Sequence, residues 1–233
     1  MKEDKFDFAT PSEHEMKTKL SLWATHYYVH KAKAVDDGEP LLDTSGQALG
    51  PKLPAREWCL AAIEGTAGIE APDGKTTIYN YAGVGADMQV DCGKFFPKFA
   101  ASGKLRWKLA EGPFGDGVHG MVLVPFRTIA VDGRQNPIPY RSLIYIPAAR
   151  GVIVYPPSTP GKTYLHDGYF YAGDTGGAIK DTHIDVFGGM SSCNPFPNFV
   201  RNSKSYPFDA YFIENERISL SLDKLHGRGS AVR

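Results

Sequence analysis

The sequence is poor in cysteine and has no excess of either charge. Its 233 residues include 3 cysteines, and 26 basic side chains balance 26 acidic ones. A neutral chain lacks the basic surface that neutralises phosphates, so we expect no nucleic-acid partner. Three cysteines allow at most one bridge, so we expect no disulfide framework, and their spacing fits no zinc site. Cys59, Cys92 and Cys193 are therefore predicted to be buried or incidental thiols.

Long apolar runs are also missing. No stretch approaches the ~18 apolar residues that span a bilayer, so no membrane span is predicted. The first twenty residues, MKEDKFDFATPSEHEMKTKL, are charged throughout and lack the apolar core of a signal peptide. We expect residues 1–19 to form an N-terminal arm and residues 226–233 a C-terminal tail.

Glycine and proline are abundant, at 25 and 17 residues, which favours short strands and turns. Residues 54–65 predict a helix that starts at proline and ends at glycine. From Met121 onward, short β segments follow one another: MVLVPF, RTIAVDG, SLIYIP, GVIVY, GYFYAGD, HIDVF, AYFI and ISLSL. This texture predicts a small β barrel or sandwich made of residues 20–35 and 120–225. An insertion at residues 50–115 is expected to form the other wall of a groove.

Three aspartates lie at strand ends near glycine: Asp132 in IAVDG, Asp174 in YAGDTGGAIK and Asp185 in HIDVFGG. The Gly176-Gly177 turn lets the chain fold back, so Asp174 and Asp185 can face one cleft. Apolar neighbours would raise the pKa of Asp185, as a general acid needs near neutral pH. Spacing alone leaves open the alternative that the three aspartates only form turns.

Two longer pieces carry a more specific pattern: TIAVDGRQNPIPYRSLIYIP and AGDTGGAIKDTHIDVFGG. They resemble the three-aspartate (3D) domain family, the catalytic barrel of membrane-bound lytic murein transglycosylase A. Upstream, WATHYY is similar to the Thr-x-Tyr-Tyr barrel strand of that family. The resemblance implies a mainly β fold: a six-stranded double-psi β-barrel interrupted by an inserted mixed α/β subdomain.

The resemblance also implies an activity, that of a peptidoglycan lytic transglycosylase. Such an enzyme cleaves the β-1,4 bond between N-acetylmuramic acid and N-acetylglucosamine and forms a 1,6-anhydro ring. Asp185 takes the position of the single acid and base, while Asp174 and Asp132 take the other two aspartate positions. Asp181 stands where the family has glycine. The residues implied to bind substrate are Thr25, Tyr28, Thr175, Gly176 and Lys180. No metal and no organic cofactor is implied.

The implied partner is a peptidoglycan glycan strand, bound by a monomer. That substrate lies beyond the inner membrane, so we expect a periplasmic or extracellular protein, although no signal peptide is visible in residues 1–20. Three routes reconcile the two: a removed leader, delivery by a secretion machine as an antibacterial effector, or release by a phage. The effector route predicts a cognate inhibitor, or immunity, protein with cations opposite the aspartates.

Two other functions stay open on the sequence. A non-catalytic glycan-binding barrel would stack sugars on aromatic side chains, whose alternative role is core packing. The candidates are Tyr27, Tyr28, Trp58, Trp107, Tyr140, Tyr169 and Tyr171. Asp174-Thr175-Gly176 matches the aspartic-protease signature, but that chemistry pairs two carboxylates and would need a dimer here. Histidines such as His183 are expected in surface or turn roles rather than as metal ligands.

Overall fold

The computed structural model describes residues 4–134 and 137–227. The chain divides into two compact units, which we call the barrel unit (Met1–Tyr27 and Gly117–Arg233) and the inserted unit (Tyr28–Asp116). In the described residues, no helix is both long and apolar enough to cross a bilayer. The strands and α-helices are, in chain order, β1 (Met16–Tyr27), β2 (His30–Lys33), β3 (Glu39–Leu42), β4 (Ala48–Leu53), α1 (Ala55–Glu64), β5 (Thr66–Glu70), β6 (Thr76–Val84), β7 (Leu105–Leu109), β8 (Thr128–Val131), β9 (Leu143–Tyr145), β10 (Ile153–Val154), β11 (Tyr164–Leu165), β12 (Tyr169–Thr175), β13 (His183–Phe187), β14 (Phe208–Ile213) and α2 (Glu216–His226).

The barrel unit contains a closed six-stranded barrel, in which neighbouring strands follow the order β1-β13-β8-β12-β9-β14. β1 pairs in parallel with β13 and β12 pairs in parallel with β8, whereas β14 runs antiparallel to β1 and β9. Side chains alternate between the two faces of a strand, so every second residue enters the core. The buried core residues of these strands include Leu22, Ala24, Ile129, Val131, Ile144, Phe170, Ala172, Ile184, Val186 and Ala210. The predicted mainly β fold with a six-stranded barrel is confirmed.

A fully buried cation, Arg127, ties the start of the chain to the barrel. Its Nη1 and Nη2 donate to the two carboxylate oxygens of Asp167, at 2.5 and 2.8 Å, and Nη2 also donates to Asp4 Oδ1 at 3.0 Å. Nη1 reaches the Tyr169 carbonyl oxygen at 2.8 Å, and the Phe6 ring centroid lies 4.2 Å from the guanidinium carbon. Two carboxylates, a carbonyl and an aromatic face thus compensate the desolvation of one guanidinium.

The structure moves three of the predicted boundaries. The segment expected as an arm, residues 1–19, includes the first four residues of β1. The segment 20–35, expected in the barrel, leaves it at Tyr27, because β2 pairs in parallel with β5 inside the inserted unit. At the other end, His226 is not part of a tail, since it is the last residue of α2 and is fully buried.

The ISLSL segment was expected as a strand, and it lies in helix α2. Its alternating residues have the period of a strand, but the residues that start the helix precede this segment. The Asn215 side chain caps the helix by accepting a hydrogen bond from the Ile218 N–H at 3.1 Å. Ile218, Leu222 and His226 are buried at four-residue spacing, which is the period of one helix face.

The inserted unit holds a four-stranded sheet, in the order β2-β5-β6-β7, beside the β3–β4 hairpin and helix α1. The predicted helix at residues 54–65 is confirmed, with Gly65 ending it in the left-handed conformation at φ 75°. Cys59 and Cys92 are buried, but the prediction that they are thiols is wrong, because they form a disulfide. Folding brings their Cα atoms to 5.5 Å although they are 33 residues apart in the chain. Cys193 is free and exposed.

Arg127→Met should unfold the barrel unit at much lower urea, because it leaves the Asp4 and Asp167 carboxylates without their cation. Breaking a buried pair in this way costs about 3–5 kcal/mol in the free energy of unfolding. The matched control is Lys19→Met, which removes an ion pair with Asp209 whose side chains are both more than half exposed; its loss should be far smaller. Urea unfolding followed by circular dichroism measures both. Equal losses would show that the Arg127 network adds nothing beyond a surface pair.

Candidate active site

The polar residues of β1 and β13 alternate with the core residues and lie on the opposite face of the two strands. Because these strands pair in parallel, Trp23 lies opposite His183, and Thr25 opposite Asp185. Each pair consists of direct cross-strand neighbours, whose side chains are close enough to interact. The strand register, rather than any local turn, therefore assembles this part of the site.

Asp185 is partly exposed, and Thr25 holds its carboxyl in place. The Thr25 hydroxyl donates to Asp185 Oδ1 at 2.8 Å. Burial raises the pKa of Asp185 to about 7, the negative charge of Asp174 acts in the same direction, and the Thr25 hydrogen bond opposes both. At neutral pH the carboxyl is thus divided between its protonated and ionised forms, as a group that both gives and takes a proton requires.

Asp174 reaches the same face through an irregularity in β12. Alternation from the core residue Ala172 would point Asp174 inward, since the two are separated by one residue. The register with β8 shifts between them, so that Ala172 lies opposite Ile129 and Asp174 opposite Ala130. Gly173 is the extra residue of this β-bulge, which turns the following side chain to the other face. The bulge brings Asp174 out of the barrel interior.

The two carboxyls flank a single residue of β8. Asp174 and Asp185 both lie opposite Ala130, one on each side, so their Cα atoms are two strand spacings apart, about 10 Å. The Tyr27 hydroxyl donates to Asp174 Oδ2 at 2.7 Å. Burial raises the pKa of Asp174 to about 7 against the hydrogen bonds from Tyr27 and the Thr175 N–H. Thr25 and Tyr27, two residues apart on β1, thus bind one carboxyl each.

His183 is buried, contrary to the predicted surface or turn role. Its ring stacks on Trp23 with a centroid distance of 3.7 Å and an interplanar angle of 6°. Its Nε2 lies 2.8 Å from the same Thr25 hydroxyl that binds Asp185. Burial lowers the pKa of His183 to about 4, with a hydrogen bond to the Ala178 backbone opposing the shift. The ring is therefore neutral at pH 7.

Asp132 differs from the other two aspartates, because both of its oxygens bind main-chain amides. Oδ1 accepts from the Arg134 N–H at 2.8 Å, and Oδ2 from the Asp181 N–H at 2.9 Å. The residue joins the loop after β8 to the loop before β13. Asp181 itself has a φ of 52°, the left-handed conformation that favours glycine. That conformation accounts for the glycine which the resemblance implies at this position.

The predicted substrate-binding residues lie in different places. Thr25 is in the site, and Thr175 ends β12, where its hydroxyl donates to the Val131 carbonyl at 2.9 Å. Lys180 is exposed in the loop between β12 and β13, and at Gly176 a Cβ would lie only 3.0 Å from Ile179. Tyr28 is the first residue of the inserted unit, where its N–H donates to Glu64 Oε2 at 3.1 Å.

Sequence reasoning missed two residues of the site, Trp23 and His183. It also missed the hydrogen bond that Tyr27 makes to Asp174. The Thr25-x-Tyr27 spacing was a usable signal, since residues two apart share one face of a strand. Nothing local marks Trp23 and His183 as neighbours, because 160 residues separate them in the chain. Within residues 4–134 and 137–227, no three His, Cys, Asp or Glu side chains gather as ligands for a metal ion.

Comparison with known families agrees with this geometry. The sequence profile of the 3D domain family matches residues 127–193. This segment is a 3D domain. It contains Asp132, Asp174 and Asp185, so the family resemblance expected from the sequence is confirmed. Thr25 and Tyr27 lie outside the matched segment, and only the β1–β13 pairing brings them to it.

The fold of the chain is similar to that of a solved lytic transglycosylase, and two further structures match less well. Escherichia coli MltA with bound chitohexaose matches with a TM-score of 0.55 at 15% identity, over 84% of this chain and 72% of that one. A membrane-bound lytic murein transglycosylase from Agrobacterium tumefaciens matches with a TM-score of 0.48 at 15% identity, over 86% and 75%. LtgG of Burkholderia pseudomallei gives 0.40 at 17%, over 83% and 71%. No curated protein matches the sequence. The first of these structures shows that the 3D domain here belongs to an MltA-like fold.

Asp174 and Asp185 both have a raised pKa, so replacing either carboxyl by an amide should stabilise the protein at alkaline pH. A carboxyl whose pKa rises from 3.8 to about 7 on folding stabilises the fold fully below about pH 4, and this stabilisation is lost as the pH rises to 7. Asp174→Asn, which carries no charge, should therefore exceed the wild type in stability at pH 8, by a margin that shrinks toward pH 4. Thermal unfolding across this range measures the margin.

The control for this prediction is Asp209→Asn, at an exposed aspartate of β14 paired with Lys19. It removes a charge without relieving burial, so no alkaline gain is expected. A margin for Asp174→Asn that stays constant between pH 4 and pH 8 would mean that burial does not raise the pKa of this carboxyl.

Proposed function

We propose that this chain is a peptidoglycan lytic transglycosylase in which Asp185 acts first as acid and then as base. The observation that carries the proposal is the state of one carboxyl: Asp185 is partly exposed, has its pKa raised to about 7, and is oriented by Thr25 within a 3D domain. The MltA structure of similar fold holds chitohexaose, which supports a glycan strand as the ligand here.

The reaction needs only one carboxyl with these properties. Protonated Asp185 gives its proton to the glycosidic oxygen as the bond from that oxygen to the anomeric carbon breaks. The C6 hydroxyl of the same N-acetylmuramic acid attacks the anomeric carbon and gives its proton to the Asp185 carboxylate. The carboxyl returns to its starting form, and the sugar closes a 1,6-anhydro ring. Because the nucleophile belongs to the substrate, its effective concentration is high and no second carboxylate has to activate it.

The other residues support Asp185 in this proposal. Asp174, held by Tyr27, contributes negative charge that favours the protonated acid. Asp132 fixes the loop before β13 through its bond to the Asp181 N–H, so its role is positioning rather than proton transfer. Thr175, which follows Asp174 in β12, and Lys180, in the loop between β12 and β13, are both exposed and are proposed to contact the glycan. Tyr28 and Gly176 are proposed on the family resemblance.

The purified protein should release 1,6-anhydro-muropeptides from peptidoglycan, and Asp185→Asn should lose this activity. Removing a general acid commonly lowers the rate about 10²–10⁴-fold, and more when the same group is also the base. Asp209→Asn, outside the site on β14, is the matched control and should cleave at the wild-type rate. Mass spectrometry of the digests identifies the products.

Three other outcomes of these experiments would reject the proposal, each in a different way. Fragments with reducing ends would mean that water attacks and that the protein is a hydrolase. Binding to peptidoglycan without soluble products would favour the non-catalytic barrel. Near-full activity of Asp185→Asn together with an inactive Asp174→Asn would exchange the roles of the two aspartates.

We also propose that the protein acts outside the cytoplasm. The proposed substrate lies there, and the Cys59–Cys92 disulfide supports the same location, because disulfides form and persist in oxidising compartments. Fusion to a periplasmic export signal should therefore make expression toxic in a bacterium, whereas expression in the cytosol should be harmless. Growth curves of both strains measure the effect, and Asp185→Asn should remove the toxicity. Equal toxicity in both compartments would contradict the proposed location.

A further inference from the structure

The Thr25 hydroxyl stands between two groups that can each accept its single hydrogen. Its Oγ1 lies 2.8 Å from Asp185 Oδ1 and 2.8 Å from His183 Nε2. A hydroxyl donates one hydrogen and accepts through its lone pairs, so it can serve only one of the two neighbours as a donor. If the hydroxyl donates its hydrogen to one of these groups, its oxygen can only accept a hydrogen bond from the other.

The surroundings of His183 favour the tautomer that accepts a hydrogen bond at Nε2. The ring also hydrogen-bonds the Ala178 backbone, an interaction that raises its pKa and therefore comes from a carbonyl oxygen. A carbonyl only accepts, so the hydrogen of the neutral ring is assigned to Nδ1 and Nε2 carries a lone pair. Stacking on Trp23 at an interplanar angle of 6° fixes the ring plane, so that Nε2 keeps its direction toward Thr25.

We propose that His183 is a positioning residue for Asp185: by accepting the Thr25 hydrogen at Nε2, it makes the Thr25 oxygen an acceptor for the proton on Asp185. The proposal rests on the acid role proposed above for Asp185. When Asp185 is protonated, the hydrogen bonds run in one direction, from Asp185 to Thr25, from Thr25 to His183, and from His183 to the Ala178 carbonyl. Asp185, Thr25 and His183 then each donate their one polar side-chain hydrogen.

After Asp185 has given its proton to the leaving oxygen, one acceptor of the network loses its hydrogen-bond donor. The Thr25 hydroxyl turns to donate to the carboxylate, and His183 Nε2 then faces an oxygen that offers it no hydrogen. A buried acceptor without a donor costs free energy. The network therefore favours the protonated acid and draws a proton back onto Asp185, as the second half of the proposed reaction needs. No proton leaves the substrate and Asp185 in this cycle, since the Thr25 hydrogen only changes direction.

Other charged and titratable groups lie on the elements around this network. They are Asp174 on β12, Tyr27 on β1, and Lys180 and Asp181 in the loop before β13. β8 contributes Ala130 beside Asp185. None of these groups is altered by a substitution at position 25 or 183, so changes in the pKa of Asp185 in the variants below come from the Thr25 and His183 side chains.

The sign of one substitution tests the proposal. If Thr25 only donates to the carboxylate, Thr25→Val raises the pKa of Asp185, because it removes a bond to the charged form. If His183 takes the hydrogen, Thr25 stabilises the protonated form and Thr25→Val lowers that pKa, by about one pH unit or a tenfold change in acidity. Thr25→Ser, which keeps the hydroxyl, should leave the pKa at the wild-type value.

The background variant His183→Phe removes the acceptor and keeps an aromatic ring to stack on Trp23. It should lower the pKa of Asp185 by itself, and in this background Thr25→Val should raise the pKa rather than lower it. His183→Gln, whose amide oxygen can accept from Thr25, should restore the wild-type value. The pKa is read from the carboxyl-carbon NMR signal of Asp185, assigned by its absence in Asp185→Asn, and from the alkaline limb of kcat on peptidoglycan fragments.

The two readouts separate this proposal from the proposed function. Inversion of the Thr25→Val effect between the two backgrounds supports the His183 role, even if the wild type proves not to cleave peptidoglycan, an outcome that would reject only the proposed function. A rise in the pKa with Thr25→Val in both backgrounds, or an unchanged pKa in His183→Phe, would overturn the His183 role. If His183→Phe does not fold, the sign of Thr25→Val in the wild type decides alone.

Discussion

The parallel pairing of β1 with β13 is the interaction on which both the barrel and its site depend. It joins residues about 160 positions apart in the chain, and the same five residue pairs close the barrel and set Thr25 against Asp185. Parallel strands cannot be joined by a tight turn, so the chain between them has to cross over from the end of one strand to the start of the other. The entire inserted unit, Tyr28–Asp116, lies in this intervening stretch of sequence. A change of register by one residue would separate every polar pair of the site.

A second constraint acts on residues 4–8. Arg127 directly precedes β8, the strand that Asp174 and Asp185 flank, and its buried charge is matched by Asp4 and Asp167. The Arg127 guanidinium binds both carboxylates and so holds residues 4–8 against the barrel, where the Phe6 and Phe8 rings lie over it. An ion pair thus anchors these residues beside the strand that separates the two aspartates.

The sequence patterns predicted the parts of the structure that depend on local chemistry. The helix after Pro54, the six-stranded barrel and the three aspartates followed from caps, glycine turns and one family motif. Three non-local features were not predicted. They are the Cys59–Cys92 bond, the stacking of Trp23 on His183, and the main-chain hydrogen bonds that distinguish Asp132 from the other two aspartates. The error at ISLSL arose because a five-residue alternation was judged without the Asn215 cap before it. The exchange of hydrogens at Thr25 depends on two distances of 2.8 Å, which no spacing along the chain encodes.

The bulge at Gly173 makes the site depend on how β12 is paired with β8 and not only on the composition of the strand. With regular pairing after Ala172, Asp174 would lie opposite the core residue Val131, and its carboxyl would be buried among aliphatic side chains although every side chain of the site would still be present in the sequence. Motif searches that score only the identity of aspartates would still accept such a chain. In this architecture, the irregular pairing between the last core position and the carboxylate is as much a part of the signature of the site as the carboxylate itself.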